Sequence, residues 1–100
     1  MSDMEFRSWI KVPGLAYEQE VEHERLHKML LRDHVDLGPV MSWADGGFST
    51  VVVLAIDAAD EAAAAGAMSD AVVDSLHASG LGHLYPAAVE VEPADDLVAT

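Results

Sequence analysis

The sequence predicts an α+β sandwich in the order β-α-β-β-α-β, with two helices on one face of a four-stranded antiparallel sheet. Three observations carry that prediction. Residues 48–56 (FSTVVVLAI) form a run rich in apolar and β-branched residues, the composition of a strand. Asp45-Gly46-Gly47 precedes the run and supplies the positive φ values of a tight hairpin. An alanine-rich stretch follows it with apolar residues at helical spacing. Strand-like segments on either side make the second half β-turn-β-α-β. The first half adds a strand over residues 6–12 and a charged helix over residues 15–33, which completes the split βαβ arrangement.

Each element has its own signal. In the first strand Phe6, Ser8, Ile10 and Val12 alternate with Glu5, Arg7, Trp9 and Lys11, and Pro13-Gly14 ends it. Leu15, Leu26, Met29 and Leu30 share one face of the first helix at about 100° per residue, although Gln19, Glu22 and Asp33 intrude on it. The second strand lies within residues 35–43. Gly38-Pro39 interrupts it, so it is expected to be short and at an edge, where proline is tolerated. In the third strand Phe48, Val52, Leu54 and Ile56 make one face, and Val51, Val53 and Ala55 the other. Ala65, Met68, Val72 and Leu76 mark the second helix, capped by Asp57 or Asp60 and closed by Gly80. The last strand alternates Ala87, Val89 and Val91 inward with Glu90 and Glu92 outward. With 100 residues the chain makes one domain, expected over residues 1–92. Residues 93–100 have no periodicity and are expected to form a disordered tail.

Two apolar faces on one strand depart from the apolar-in, polar-out pattern of a half-covered antiparallel sheet. The element order resembles ferredoxin-like domains, and that resemblance implies the strand order 4-1-3-2. The first strand then lies beside the third, which brings Trp9 next to Val51 and Val53 on the face without helices. Such a patch marks an interaction site, and burying one Trp and two Val is worth several kcal/mol at ~25 cal/mol per Å². The two-faced central strand further resembles the dimeric α+β-barrel superfamily, which includes small monooxygenases, polyketide cyclases and stress-response proteins. The resemblance spans residues 6–92 and is one of pattern only. It implies a homodimer packed sheet to sheet through Trp9, Val51 and Val53. It also implies a ligand position between sheet and helices, lined by Phe6, Ile10, Phe48, Leu54 and Met68. Those same residues are the expected hydrophobic core.

Composition excludes several classes. The chain has no cysteine, so disulfides, iron–sulfur clusters and thiol nucleophiles are ruled out. Its apolar runs fall short of the ~20 residues that span a bilayer. Met1-Ser2-Asp3-Met4-Glu5 has neither the basic nor the apolar region of a signal peptide, so a cytoplasmic location is expected. Eighteen acidic residues stand against five basic ones, a formal net charge of −13. That balance disfavours direct binding to nucleic acid or to an anionic membrane and favours a basic protein partner.

His23-Glu24-Arg25-Leu26-His27 matches H-E-x-x-H, in which two histidines one helical turn apart bind zinc and the glutamate acts as general base. His34 lies within roughly 40° of the same stripe, yet about 10 Å farther along the axis than His27. Zinc–nitrogen bonds are ~2.0–2.1 Å, so the three cannot share one ion on a straight helix. The extended zinc pattern places Gly at position 30 and a third ligand at position 33, where this chain has Leu30 and Asp33. No metal, no cofactor and no catalytic residue is therefore assigned, with His23 and His27 kept as weak metal candidates. Gly80-Leu81-Gly82 follows a helix instead of opening one, so it reads as a C-cap and not as a phosphate cradle. His83 and Tyr85 beside it read as surface loop residues.

The sequence thus points to a small acidic accessory or interaction domain, non-enzymatic, acting through its sheet face. Two alternatives stay open: a small dimeric α+β-barrel enzyme acting on an apolar small molecule, and an acidic inhibitor that mimics nucleic acid.

Overall fold

The computed structural model describes residues 3–94. Strand β1 spans Met4–Pro13, helix α1 Glu20–Asp33, strand β2 Val40–Ala44, strand β3 Ser49–Ala58, helix α2 Glu61–Ala78 and strand β4 Ala88–Pro93. Short 3-10 turns occupy Tyr17–Gln19, Val35–Leu37 and Asp45–Gly47. All strand pairings are antiparallel. The sheet order is β2-β3-β1-β4, which counted from the β4 edge is 4-1-3-2.

Period-two patterning fixes the layers. Phe6, Ser8, Ile10 and Val12 are buried along β1 while Arg7, Trp9 and Lys11 between them are half-buried. The buried set joins Val52 and Leu54 of β3, Leu26 and Leu30 of α1, and Met68, Val72 and Leu76 of α2 in one core. Both helices therefore cover the same sheet face, and among the described residues the other face carries none. Among the described residues no helix is long and apolar enough to cross a membrane.

The helix ends follow capping chemistry. Asp60 accepts the Ala63 N–H at 2.8 Å as the N-cap of α2. At the other end Gly80 takes φ +80. There the Leu81 N–H bonds the Leu76 carbonyl at 2.8 Å and the Gly80 N–H bonds that of His77 at 3.1 Å. This double bond pattern is a Schellman motif, with buried Leu81 as its apolar closure.

Several expectations shift. Leu15 does not start the first helix. It sits buried in the connection before the 3-10 turn, and α1 begins at Glu20. The expected second strand splits at Gly38, whose φ of +58 ends a 3-10 turn, and pairing begins only at Val40, on the sheet edge. Phe48 is 74% exposed and is no part of the core. It closes the hairpin turn in helical geometry, φ −87 and ψ −10, so the alternation of β3 starts one residue later. The inner stripe of α2 runs through Ala64 instead of Ala65, with Ala71 and Ser75 also buried. Val89 keeps the helix-side phase opposite Ile10, yet at the sheet edge it is 39% exposed. Pro93 closes β4 and Ala94 is buried. The remainder of the expected tail, residues 95–100, lies outside the described residues.

Candidate interaction face and histidine cleft

The uncovered sheet face is built by register. Trp9 stands opposite Val53 of β3 on one side and opposite Glu90 of β4 on the other. Val53 in turn faces Val40 of the edge strand. A row Val40–Val53–Trp9–Glu90 thus crosses all four strands. One pleat to one side, Ser42, Val51, Lys11 and Ala88 make a parallel row, and one pleat to the other side Ala55, Arg7 and Glu92 make another. The three residues expected to form an interface, Trp9, Val51 and Val53, therefore do share one face. Val40, 58% exposed at its margin, extends the apolar strip. Arg7 and Lys11, two of the chain's five basic residues, flank Trp9 on β1, while Glu90 and Glu92 line the β4 edge.

Register also decides where the cations go. Arg7 is opposite Glu92, as outward phase on adjacent strands requires. Lys11 is opposite Ala88, and its ammonium instead lies 3.1 Å from Asp45 Oδ2 at the β2–β3 hairpin. Hydrogen bonds to Asp45 from Lys11 and, at 2.9 Å, from the Ser49 hydroxyl hold that carboxyl below the usual carboxylate range.

On the helix side a second feature gathers residues far apart in sequence. His23 of α1 stacks on Trp43 of β2, ring centroids 3.9 Å apart at 26°. Tyr17 meets the same indole edge-on at 5.5 Å and 62°. Trp43 is paired with Thr50 on the inner phase of the edge strand, so its ring lies beneath the start of α1. The Thr50 hydroxyl donates to the Leu15 carbonyl at 2.8 Å and stands 2.9 Å from His23 Nδ1. A hydroxyl has one proton, and the carbonyl only accepts. The imidazole must therefore donate from Nδ1, leaving Nε2 as an acceptor. Burial first, and then the neighbouring His27, lower the His23 pKa, against a smaller opposite effect of Glu20. His27 Nε2 lies 3.3 Å from the Pro39 carbonyl, to which it donates. Together with Glu20 and Glu24 these side chains border an open cleft of about 290 Å³. The backbone of the hairpin turn braces Tyr17: a Cβ on Gly47, whose φ is +96, would sit 3.2 Å from Tyr17 Cβ.

The remaining histidine-motif residues separate. His34 is the C-cap residue of α1 and its Nε2 pairs with Asp74 Oδ2 of α2 at 3.3 Å, away from His23 and His27. Asp33, the position a third zinc ligand would need, is paired with Arg32 at 2.9 Å. Among the described residues no group of three or more His, Asp or Glu side chains is arranged to hold a metal ion. His34 and Asp74 instead border a groove of about 690 Å³, open to solvent, with Leu37, Ile56 and Ala71 in its lining. His83 and Tyr85 are exposed.

No protein-family model matches the chain, and no curated protein or solved structure matches it.

Proposed function

We propose that this chain is a small acidic ferredoxin-like interaction domain that works through the open face of its sheet, and that the first occupant of that face is a second copy of itself. The observation that carries the reading is the position of Trp9, at the centre of an uncovered strip that continues through Val53 to Val40. Charge placement supports a two-fold partner. The cations Arg7 and Lys11 lie on β1, and the acids Glu90 and Glu92 lie on the neighbouring edge strand. In an isologous interface each patch meets its own copy rotated, so a face carrying both signs can offer its copy opposite charges, with Arg7 the available cation because Lys11 is held by Asp45. The chain as a whole is strongly acidic, and this face carries two of its five basic residues, Arg7 and Lys11.

Burial of the residues that would line a substrate site favours a binding module over an enzyme of the dimeric barrel type, and the groove beside Ile56 and α2 is open to solvent, not enclosed. Phe6, Ile10, Leu54 and Met68 pack against one another between sheet and helices, where a barrel enzyme would hold its substrate. The test is sedimentation of the wild type and of Trp9→Glu. A concentration-dependent dimer that the substitution abolishes is expected. A wild type that stays monomeric into the high micromolar range defeats the proposal.

A further inference from the structure

The cleft bordered by Tyr17, His23 and Trp43 has a chemistry of its own, independent of the sheet face. Its walls are π-systems: the indole of Trp43 carries the stacked His23 and the edge-on Tyr17. Its rim carries the Glu20 and Glu24 carboxylates. The ring of His23 spends its only proton on Thr50, so it offers the cleft a lone pair. His27 likewise spends the Nε2 proton on Pro39. Lys28 lies 3.8 Å from Glu24 in an exposed pair one helical turn away, an interaction of little strength. Glu20 has no ion-pair partner among the described residues. The cleft therefore presents aromatic surface, two carboxylates and the acceptor nitrogen of His23, and no lysine or arginine lines it.

A ligand complementary to that surface carries positive charge and hydrogen-bond donors on a compact apolar body. A bare divalent ion meets the charge requirement only. It needs convergent ligands, and among the described residues no three such side chains converge. Aromatic faces beside carboxylates are instead the recognised environment of organic cations, which gain cation–π attraction from the rings and Coulomb attraction from the rim. A volume of about 290 Å³ admits a group the size of an alkylammonium or a guanidinium with its carbon stem.

We propose that this cleft binds an organic cation, an alkylammonium or guanidinium group, between the Tyr17 and Trp43 rings and the Glu20 and Glu24 carboxylates. Such a group exists in two sources, a free amine and the Lys or Arg side chain of a basic protein, and the chemistry of recognition is shared.

The experiment uses the full chain, isotopically labelled, and follows the Trp43 indole N–H and the His23 ring resonances. The probes are n-butylammonium, methylguanidinium, backbone-capped lysine (Nα-acetyl-lysine methylamide), n-butanol and zinc chloride, all at matched ionic strength. Saturable shifts with the three cations and none with n-butanol are expected. Glu20→Gln with Glu24→Gln should raise the dissociation constant by about fivefold. Tyr17→Ala, at an exposed position, should raise it by roughly threefold. Capped lysine binding more tightly than n-butylammonium identifies a protein side chain as the source, and the reverse identifies a free amine. The proposal is overturned by the absence of saturable shifts with the cations, by equal shifts with n-butanol, or by saturation with zinc alone. It is equally overturned if the double glutamine variant, with an unchanged circular dichroism spectrum, binds the cations as the wild type does.

Discussion

His23 Nδ1 lies 2.9 Å from Thr50 Oγ1, and Thr50 in turn gives its hydroxyl proton to the Leu15 carbonyl at 2.8 Å. This chain of bonds joins the first helix to a central strand and to the loop between β1 and α1. It also selects one tautomer of one histidine, a property that geometry alone decides.

That selection is measurable. Long-range ¹⁵N couplings should show His23 as the Nδ1–H tautomer when neutral. Thr50→Val keeps the shape and removes the hydroxyl, orphaning the Leu15 carbonyl and the Nδ1 proton together. Because Thr50 is fully buried, the loss should be about 1–3 kcal/mol in urea unfolding. An Nε2–H tautomer in the wild type would show that the relay is drawn in the wrong direction.

The same site predicts a pH dependence with a definite sign. Burial and His27 lower the folded-state pKa of His23 from its ordinary value, and Glu20 offsets part of that. The unfolded chain then holds more protons on this ring between the folded pKa and the ordinary value of about 6.5. Stability from this group is complete above that window and is lost as pH falls through it. Urea midpoints between pH 5 and 7.5 should decline on acidification, and more steeply in the wild type than in His23→Gln. Parallel curves for the two proteins would show that other groups set the slope.

A buried polar contact gives a test of the core. The Ser8 hydroxyl, fully buried in β1, donates to the Met68 sulfur at 3.1 Å. A thioether is a weak acceptor, so Ser8→Ala should cost no more than about 1 kcal/mol. Met68→Leu conserves volume, a change worth under ~1.5 kcal/mol by itself, but it strands the hydroxyl and should cost about 1–3 kcal/mol more. Combining the two removes the stranded group, so the double variant should be more stable than Met68→Leu alone. Strict additivity in thermal or urea unfolding would show that the sulfur is not the partner of Ser8.

How much of this was legible in the sequence follows from the range of each interaction. The strand phase of β1, the hairpin at Asp45-Gly46-Gly47, the Asp60 cap and the Gly80 stop are local in origin, and local patterning points to each. The open face of Trp9, Val51 and Val53 needed only a strand order in addition. Phe48 was misplaced because a turn residue and the first residue of a strand look alike when both are apolar. Cross-strand register alone sets Lys11 opposite Ala88 and points to no partner for its charge. A lysine is long enough to reach Asp45, which turn geometry brings within range. The cleft was missed for a different reason. Tyr17, Trp43 and Thr50 come from three elements, and only the helical spacing of Glu20, His23, Glu24 and His27 was visible. A tryptophan on the inner phase of an edge strand was the signal that, joined to this stripe, would have located the cleft.

The last prediction concerns salt and the sheet face. Each protomer carries a formal charge of −13, so two copies repel at long range. In the proposed dimer the contacts that would oppose this are short: apolar burial of Trp9, Val53 and Val40, and pairing of cations with acids across the sheet face. Screening shortens from about 8 Å at 0.15 M to about 3 Å at 1 M ionic strength. Long-range repulsion is therefore removed by salt, while apolar burial is not. Dimerisation should tighten from low salt to about 0.5 M sodium chloride. Arg7→Glu should weaken it most at low salt, because it adds repulsion and removes a cation in one step. Sedimentation equilibrium across that salt range decides the matter. A dimer that dissociates as salt rises would mean that ion pairs, and not the Trp9 strip, hold the two copies together.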